Sequence, residues 1–484
     1  MIQFDYDASA RRGVITGDED VISEVTEHFS YENPGAKFAR RIGRYIPERS
    51  YLITPTRRYD EGLTNTIKTY IENNFPGTEI NISDQLKKVL NPKFESTVSA
   101  NLTFELRDYQ KDIVDLCIEK GRGVVLLATA GGKTLTFANL LQSIYNSTSN
   151  KDTWKVLIIV PDLGLVNQTC SDFQKYGVTF TYSKWTGNNE LYLGSNVIIA
   201  NLGILQSKNT DTEWIKFIDL LIIDEVHKLR KDNKINKIVK SIKTSRKFGF
   251  TGTLPEETQD QWNIIGKIGD VLFEKRSFEL REESYVANAE ASIFNITYNK
   301  KLVYDIKNLT DPGAWYRMEQ EFIQENKFRN DFIGKICKGL NNNVLVLIDL
   351  IAHGENLYST ITSICPNKQV FFIRGDVEVE DRDKVKQIME KDNNVICIAI
   401  SKIFSTGISI NNIHYIVFAG GGKAKVKILQ SIGRGLRLHA NKEKLVLIDI
   451  ADQLKYAGEH SDRRLELYKN ERIITKSYTF KETV

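Results

Sequence analysis

The sequence predicts an α/β protein: two parallel-sheet units in tandem behind a small N-terminal α+β domain. Three observations predict it. From about residue 102, short and wholly apolar runs each give way to a helical pattern, as strands buried on both faces of a parallel sheet do. The series stops, passes through a charged and less regular stretch, and starts again near residue 343. Before about residue 98 the pattern is mixed and short, without such a series. The expected domains are 1–98, 99–276 and 277–484, the last opening with a linker over 277–330.

In chain order, "YLIT" from Tyr51 reads as a short strand, and "LTNTIKTYIENNF" from Leu63 as an amphipathic helix with Ile67, Tyr70 and Ile71 on one side. "FPGTEINISD" breaks it. The first strand series is "VVLLAT" (124–129), "KVLIIVP" (155–161), "NVIIAN" (196–201), "DLLIIDE" (219–225) and "KFGFTGT" (247–253). The second is "NVLVLID" (343–349), "QVFFIRGD" (369–376), "NVICIAIS" (394–401), "HYIVFAG" (414–420) and "KLVLIDI" (444–450). The two series share an architecture and no sequence repeat.

The chain of 484 residues is 41% hydrophobic and 26% charged, enough apolar material for more than one core. No apolar run approaches the roughly 18 residues of a membrane span, and no secretory signal is visible, so a cytoplasmic protein is expected. Five scattered cysteines with no C-x-x-C pair read as reduced thiols. The histidines show no zinc spacing. A net charge of +4 does not by itself argue for nucleic acid, so local clusters must carry that case.

"ATAGGKT" (128–134) has the setting of a phosphate loop, a strand running into glycines and then a helix. Backbone N–H groups of Thr129, Ala130, Gly131 and Gly132 would face an anion at the helix N-terminus. Lys133 would meet the β and γ phosphates of ATP, and Thr134 would hold Mg²⁺. Yet Leu127 stands where G-x-x-x-x-G-K-[ST] has its first glycine, so the loop alone fits a glycine turn with an exposed lysine equally well. "DEVH" (224–227) ends another apolar strand with two carboxylates, costly there unless a cation or a reaction uses them. Alone, it also fits an acidic helix cap. Both motifs sit at the carboxyl ends of buried strands, where α/β sheets bind ligands. Asp224 would complete the Mg²⁺ shell and Glu225 would orient the attacking water.

With "LRDYQ" (106–110), "VPDLGLVNQTCSDF" (160–173), "TGT" (251–253), "FSTGISI" (404–410) and "QSIGRGLRLH" (430–439), these stretches occur in the order of the superfamily 2 helicase motifs. The resemblance covers roughly 102–450. Within that superfamily the chain most resembles the phage UvsW-type helicases, which remodel branched DNA. That family implies two RecA-like domains and a loop spelled A-T-G-x-G-K-T, from which Ala130 departs by one methyl group. Gln110 would read the adenine edge, with Arg107 beside the nucleotide or in a surface ion pair. His227 would couple the carboxylates to Thr251 or Thr253, or would be a structural histidine, and Gln430 belongs to the same coupling set. Arg434 and Arg437, three apart and expected on one helical face, would reach the γ-phosphate from the second domain, or Arg437 would pair within its own domain. Thr406 and Gly407, with Ser405, would touch DNA backbone and nucleotide. Ser409 replaces the acidic residue of many relatives.

Two basic surfaces complete the reading. Residues 37–60 set Lys37, Arg40, Arg41, Arg44, Arg49, Arg57 and Arg58 among Tyr45, Tyr51 and Tyr59, a composition suited to phosphate contact with base stacking, or to a solvated edge. Lys234, Lys237, Lys240 and Lys243 line one face of an amphipathic helix opposite Ile235, Ile238, Val239 and Ile242, a face either solvated or bound to DNA. The expected function is an ATP-dependent DNA helicase or translocase, monomeric, that unwinds or branch-migrates forked and four-way DNA and engages single strands. The alternatives are an RNA helicase, disfavoured because "DEVH" is not D-E-A-D, a restriction-system translocase, and a non-catalytic DNA-binding scaffold.

Overall fold

The computed structural model describes residues 1–33, 35–94, 98–207, 213–230, 235–299, 311–374, 379–401, 410–420, 422 and 425–482. The chain divides into two compact units, Met1–Leu127 with Gly132–Glu274, and Ala128–Gly131 with Lys275–Val484. Among the described residues no helix is long and apolar enough to cross a membrane.

The first unit opens with β1 (Ile2–Asp7), β2 (Arg12–Gly17), β3 (Ser30–Glu32), β4 (Arg49–Tyr51), β5 (Arg58–Tyr59) and β6 (Ile80–Ile82). Four of them form a sheet in the order β5-β2-β1-β6, and β3 pairs with β4 apart from it. The helices Glu19–His28 and Thr64–Asn74 turn Val21, Ile22, Val25, Ile67 and Ile71 onto a core with Ile2, Phe4 and Ile15. Asp18 caps the first helix, its carboxylate accepting from the Asp20 and Val21 amides.

The second sheet of this unit contains β7 (Gly123–Leu127), β8 (Val156–Val160), β9 (Tyr182–Trp185), β10 (Val197–Asn201), β11 (Leu220–Asp224), β12 (Lys247–Thr251) and β13 (Val271–Lys275). Its order is β13-β7-β12-β11-β8-β10-β9. The five runs expected as strands are there, and β7, β8, β11 and β12 are buried at every residue. The edge strands β9 and β13 were not foreseen. β13 is half exposed and its letters, VLFEK, do not form an apolar run.

The second unit holds β14 (Asn288–Thr297), β15 (Val344–Ile348), β16 (Gln369–Ile373), β17 (Val395–Ile400), β18 (Tyr415–Phe418), β19 (Lys444–Asp452) and β20 (Ile474–Lys481), in the order β16-β17-β15-β18-β19-β14-β20 and parallel throughout. The stretch 277–330 is not a plain linker. It supplies β14, paired over its length with β19 and β20, and the helix Pro312–Glu325. β14 alternates buried and half-buried residues, so it lacks the unbroken apolar signature of the inner strands. Two fully buried arginines hold the end of this sheet. Arg464 pairs with Asp449 at 2.6 Å, and Arg329 with Asp452 at 2.8 Å. Tyr468 donates to Asp449, and Tyr298 to Asp452.

All five cysteines are buried and unpaired. Burial pushes the Cys337 and Cys397 thiols up to about 12 and raises the other three as well.

The N-terminal domain is built onto the sheet that follows it. Trp262 and Ile265, on the helix Thr258–Ile268, pack into its core. Gly62 lies so close to that helix that a Cβ would meet the Ile265 carbonyl oxygen at 2.1 Å. Buried ion pairs cross the seam: Arg122–Glu61 at 3.2 Å and Lys267–Asp60 at 2.9 Å. Asp60 also faces Arg12 at 3.1 Å and Lys240 at 3.8 Å. Burial pushes the Asp60 carboxyl up, but Lys267, Lys240 and Arg12 outweigh it and hold it well below the usual carboxylate range. Asp60→Asn therefore leaves Lys267 buried without its counter-charge and is expected to cost about 3 kcal/mol in urea denaturation at pH 7. Because the folded pKa is depressed, this contribution is present above the unfolded value of about 4 and is lost as pH falls below it. The gap between wild type and Asp60→Asn should narrow in that acid range.

Candidate nucleotide site

The strands β7, β12 and β11 are neighbours in that order, so the segments that follow them lie side by side at one edge of the sheet. These segments are the glycine loop, "TGT" and "DEVH". The loop turns through two left-handed residues, Ala130 at φ +69° and Gly132 at φ +83°, before the helix Lys133–Ser147. Gly132 has no side chain to cap that helix, which leaves its first-turn amides to an anion. A Cβ on Gly132 would stand 2.4 Å from Gln110 Nε2, so a side chain there would displace the Gln110 amide from the loop.

Lys133 Nζ lies 3.7 Å from Glu225 Oε1 and donates to the Leu127 carbonyl oxygen at 3.4 Å. Leu127 is the last residue of buried β7, where the alternative spelling would have a glycine. Thr134 follows in the first helical turn, half-buried. Asp224, only 7% exposed, ends β11 and accepts from the Glu225 amide at 2.9 Å. Burial, and then the charge of Glu225, push its carboxyl up to about 7, with Lys133 opposing. Glu225 has φ +53°, a left-handed backbone outside glycine that sequence letters do not announce.

The coupling set closes around Glu225. His227 Nδ1 lies 3.2 Å from Glu225 Oε2 and 2.8 Å from Thr251 Oγ1, and Thr251 Oγ1 lies 3.5 Å from the same carboxylate oxygen. Of the two threonines offered as His227's partner, the geometry selects Thr251, which is fully buried. Thr253 joins only through its carbonyl oxygen, which accepts from Thr251 at 3.1 Å.

Gln110 is nearly fully buried. Its Oε1 accepts from the Arg107 amide at 2.9 Å, and its Nε2 donates to the Gly132 carbonyl at 3.4 Å. The side chain thus ties the start of the helix Asp108–Lys120 to the glycine loop. Arg107 is half-buried and donates to Tyr109 Oη at 2.9 Å.

In the second unit Gln430 and Arg434 lie one turn apart on the helix Lys425–Gly435. Arg437 does not share their face. The helix ends at Gly435, whose carbonyl accepts from Lys442 Nζ at 2.9 Å, and Arg437 lies in the bend beyond. Gly435 sits against Ile416 and Leu445, with no room for a side chain. Ser405, Thr406, Gly407 and Ser409 lie outside the described residues, as do Lys234 and the side chain of Lys37.

The N-terminal basic cluster is smaller than its letters suggest. Arg40, Arg49, Arg57 and Arg58 each pair with a carboxylate of their own domain: Glu48, Glu27, Glu19 and Asp7. Tyr59 is no stacking platform. It is fully buried, with its hydroxyl 3.0 Å from Thr64 Oγ1. Arg41 and Arg44 are exposed and make no ion pair with a described residue, and Tyr45 beside them is 85% exposed.

Ala130 carries a testable strain. A left-handed alanine costs about 1–2 kcal/mol, more than its advantage over glycine in the unfolded chain. Ala130→Gly is expected to stabilise the protein by about 0.5–1 kcal/mol in chemical denaturation while keeping ATP hydrolysis.

Comparison with known proteins places this geometry. Residues 103–256 match the family model described as the type III restriction enzyme, res subunit. The chain is 26% identical to the ATP-dependent DNA helicase uvsW of Enterobacteria phage T4, over 94% of this chain and 95% of that one. It is 22% identical to the DNA 3'-5' translocase XPB2 of Sulfurisphaera tokodaii, over 71% and 81%. Its fold is that of S. cerevisiae Dbp5 bound to RNA and ADP BeF3, with a TM-score of 0.53 at 14% identity over 77% of this chain and 89% of that one. By motif order, by its two parallel sheets and by these relatives, the chain is similar to the ATP-dependent DNA helicases of the phage UvsW type.

Proposed function

We propose that the chain is a DNA-stimulated ATPase that moves along DNA and remodels forked and four-way junctions. The observation that carries the reading is the cluster of Lys133, Asp224, Glu225, His227 and Thr251 at one sheet edge. Its parts match a phosphoryl-transfer site one by one. Lys133 and the loop amides hold the ATP phosphates. Glu225 orients the attacking water and takes its proton, with its carboxylate steadied by His227 and Thr251. Asp224 and Thr134 suit Mg²⁺: they offer hard oxygen donors, and two adjacent carboxylates, Asp224 and Glu225, stand together at a buried strand end. Mg²⁺, when bound, would neutralise phosphate charge. Arg434 supplies further positive charge to the γ-phosphate. Gln110 and Arg107 read the base, and Gln430, Thr406 and Gly407 link nucleotide to DNA.

DNA rather than RNA is supported by the names of the relatives that match most of the chain. For DNA contact on the N-terminal domain the structure favours Arg41, Arg44 and Tyr45, with Arg40 held by Glu48. Action as a monomer in the cytoplasm, the host's if the chain is phage-encoded, belongs to the same reading. A second reading, a duplex translocase of a restriction system, is favoured by the description of the matching family model.

ATP turnover measured on single strands, linear duplex, forks, four-way junctions and RNA separates these readings. Branched DNA should stimulate most; equal stimulation by linear duplex favours the restriction translocase, and stimulation by RNA alone refutes both. Lys133→Ala should abolish turnover and spare DNA binding. Glu225→Gln should bind ATP and stall before hydrolysis, and failure to bind would make Glu225 structural. Arg434→Ala should lose roughly 10³-fold or more in rate with little loss of ATP affinity. Removing the N-terminal domain would strip Lys267 and Arg122 of their counter-charges, so junction binding is better tested by Arg41→Ala with Arg44→Ala. That pair should weaken junction affinity and lower the slope of its salt dependence by about 2.

A further inference from the structure

A cavity of about 80 Å³ opens at the seam between the N-terminal domain and the first parallel sheet. One water needs roughly 10–15 Å³ by such a measure, so the space admits a small polyatomic group. Its lining is strongly cationic: Arg11, Arg12, Lys240, Lys243, Lys247 and Lys267, against the carboxylates Asp60 and Glu61. Glu61 is already engaged by Arg122, and Asp60 is shared by Arg12, Lys240 and Lys267. Arg11 meets no carboxylate. It stands in a left-handed turn, φ +52°, and donates to the carbonyls of Lys240, Ser241 and Ile242, which fixes the end of the lysine helix at the cavity wall. Lys243 lies over the Phe217 ring at 4.2 Å.

Lys247 is the decisive residue. It is the first residue of β12, paired there with Leu221, is only 7% exposed, and its ammonium makes no ion pair with a described residue. Its side chain lines the cavity, as does that of Arg12, whose Nε is buried without a hydrogen-bond partner. An ammonium at the wall of a largely enclosed cavity, with no ion pair of its own, is disfavoured unless an anion in the cavity supplies counter-charge. Burial lowers the Lys247 pKa to about 8, with Glu61 and Asp60 opposing from the same lining.

We propose that this seam cavity is an anion site that takes one phosphate group, held by Lys247 and Arg12 inside and by Lys240 and Lys243 at its mouth. The group belongs either to the DNA backbone or to a free phosphate compound. The site is separate from the glycine loop, so its test does not depend on the nucleotide reading.

The probe is inorganic pyrophosphate at constant ionic strength, with full-length Lys133→Ala as the background to weaken competing binding at the glycine loop. Pyrophosphate should raise the denaturation midpoint, and adding Lys247→Met should remove that shift. Without pyrophosphate, Lys247→Met should be at least as stable as its parent, since it removes an uncompensated charge; a lower basal midpoint would mark Lys247 as structural and count against the site. Exposed Lys243→Gln, which gives up only the contact with the largely exposed Phe217 ring, should weaken the pyrophosphate effect several-fold and serves if Lys247→Met folds poorly. In the second arm, affinity for duplex DNA is measured against salt in the otherwise wild-type protein. A slope shallower by about 1 in Lys247→Met assigns the phosphate to DNA, and an unchanged slope beside a lost pyrophosphate shift assigns it to a free compound. If neither the pyrophosphate shift nor the DNA slope depends on Lys247 or Lys243, the proposal is overturned.

Discussion

Parallel strands cannot be joined by a tight turn. Each connection must cross over the sheet, so all strands point the same way and the segments leaving their carboxyl ends collect along one edge. The nucleotide site depends on that constraint. With β7, β12 and β11 adjacent, "ATAGGKT", "TGT" and "DEVH" become neighbours although they are far apart in sequence. Adjacency alone would leave two carboxylates at a buried strand end. Lys133 from one neighbour and Thr251 from another supply the compensation, with His227 bridging to Thr251. The left-handed turn at Glu225 carries its carboxylate to a different set of partners from Asp224, so two adjacent acids do different work.

The inner strands were legible because burial on both faces leaves no choice of residue: β8 is VLIIV and β15 is VLVLI. The edge strands were not. β20 is largely exposed, and its alternation of ITKSYTFK resembles that of many surface segments. The loop, the acidic pair and the His227–Thr251 link were legible because their chemistry restricts the letters. Arg437 was misplaced because a three-residue spacing says nothing about where a helix stops. Tyr59 was misread because an aromatic among arginines looks the same whether it stacks outward or fills a core. The ion pairs of the arginine cluster join residues distant in sequence, such as Arg58 with Asp7, and no local pattern announces them.

Both units spend buried charge on arrangement. Arg464–Asp449 and Arg329–Asp452 brace β19, and Lys267–Asp60 and Arg122–Glu61 join the N-terminal domain to the first sheet. Such pairs add little net stability over apolar packing, yet a misfit in position leaves a bare charge in the interior. Here they tie elements remote in sequence into one register, with Gly62 allowing the backbones to meet closely enough for the pairs to form.

The burial of every cysteine has a consequence for spectroscopy. Native thiols that are enclosed and held in the protonated form react slowly with maleimides and iodoacetamides, since the thiolate is the nucleophile. A cysteine introduced at exposed Lys237 in the first unit, or at exposed Lys476 in the second, would then be the dominant reactive thiol in the native chain. Site-specific fluorophores could then be attached to either unit without a cysteine-free background.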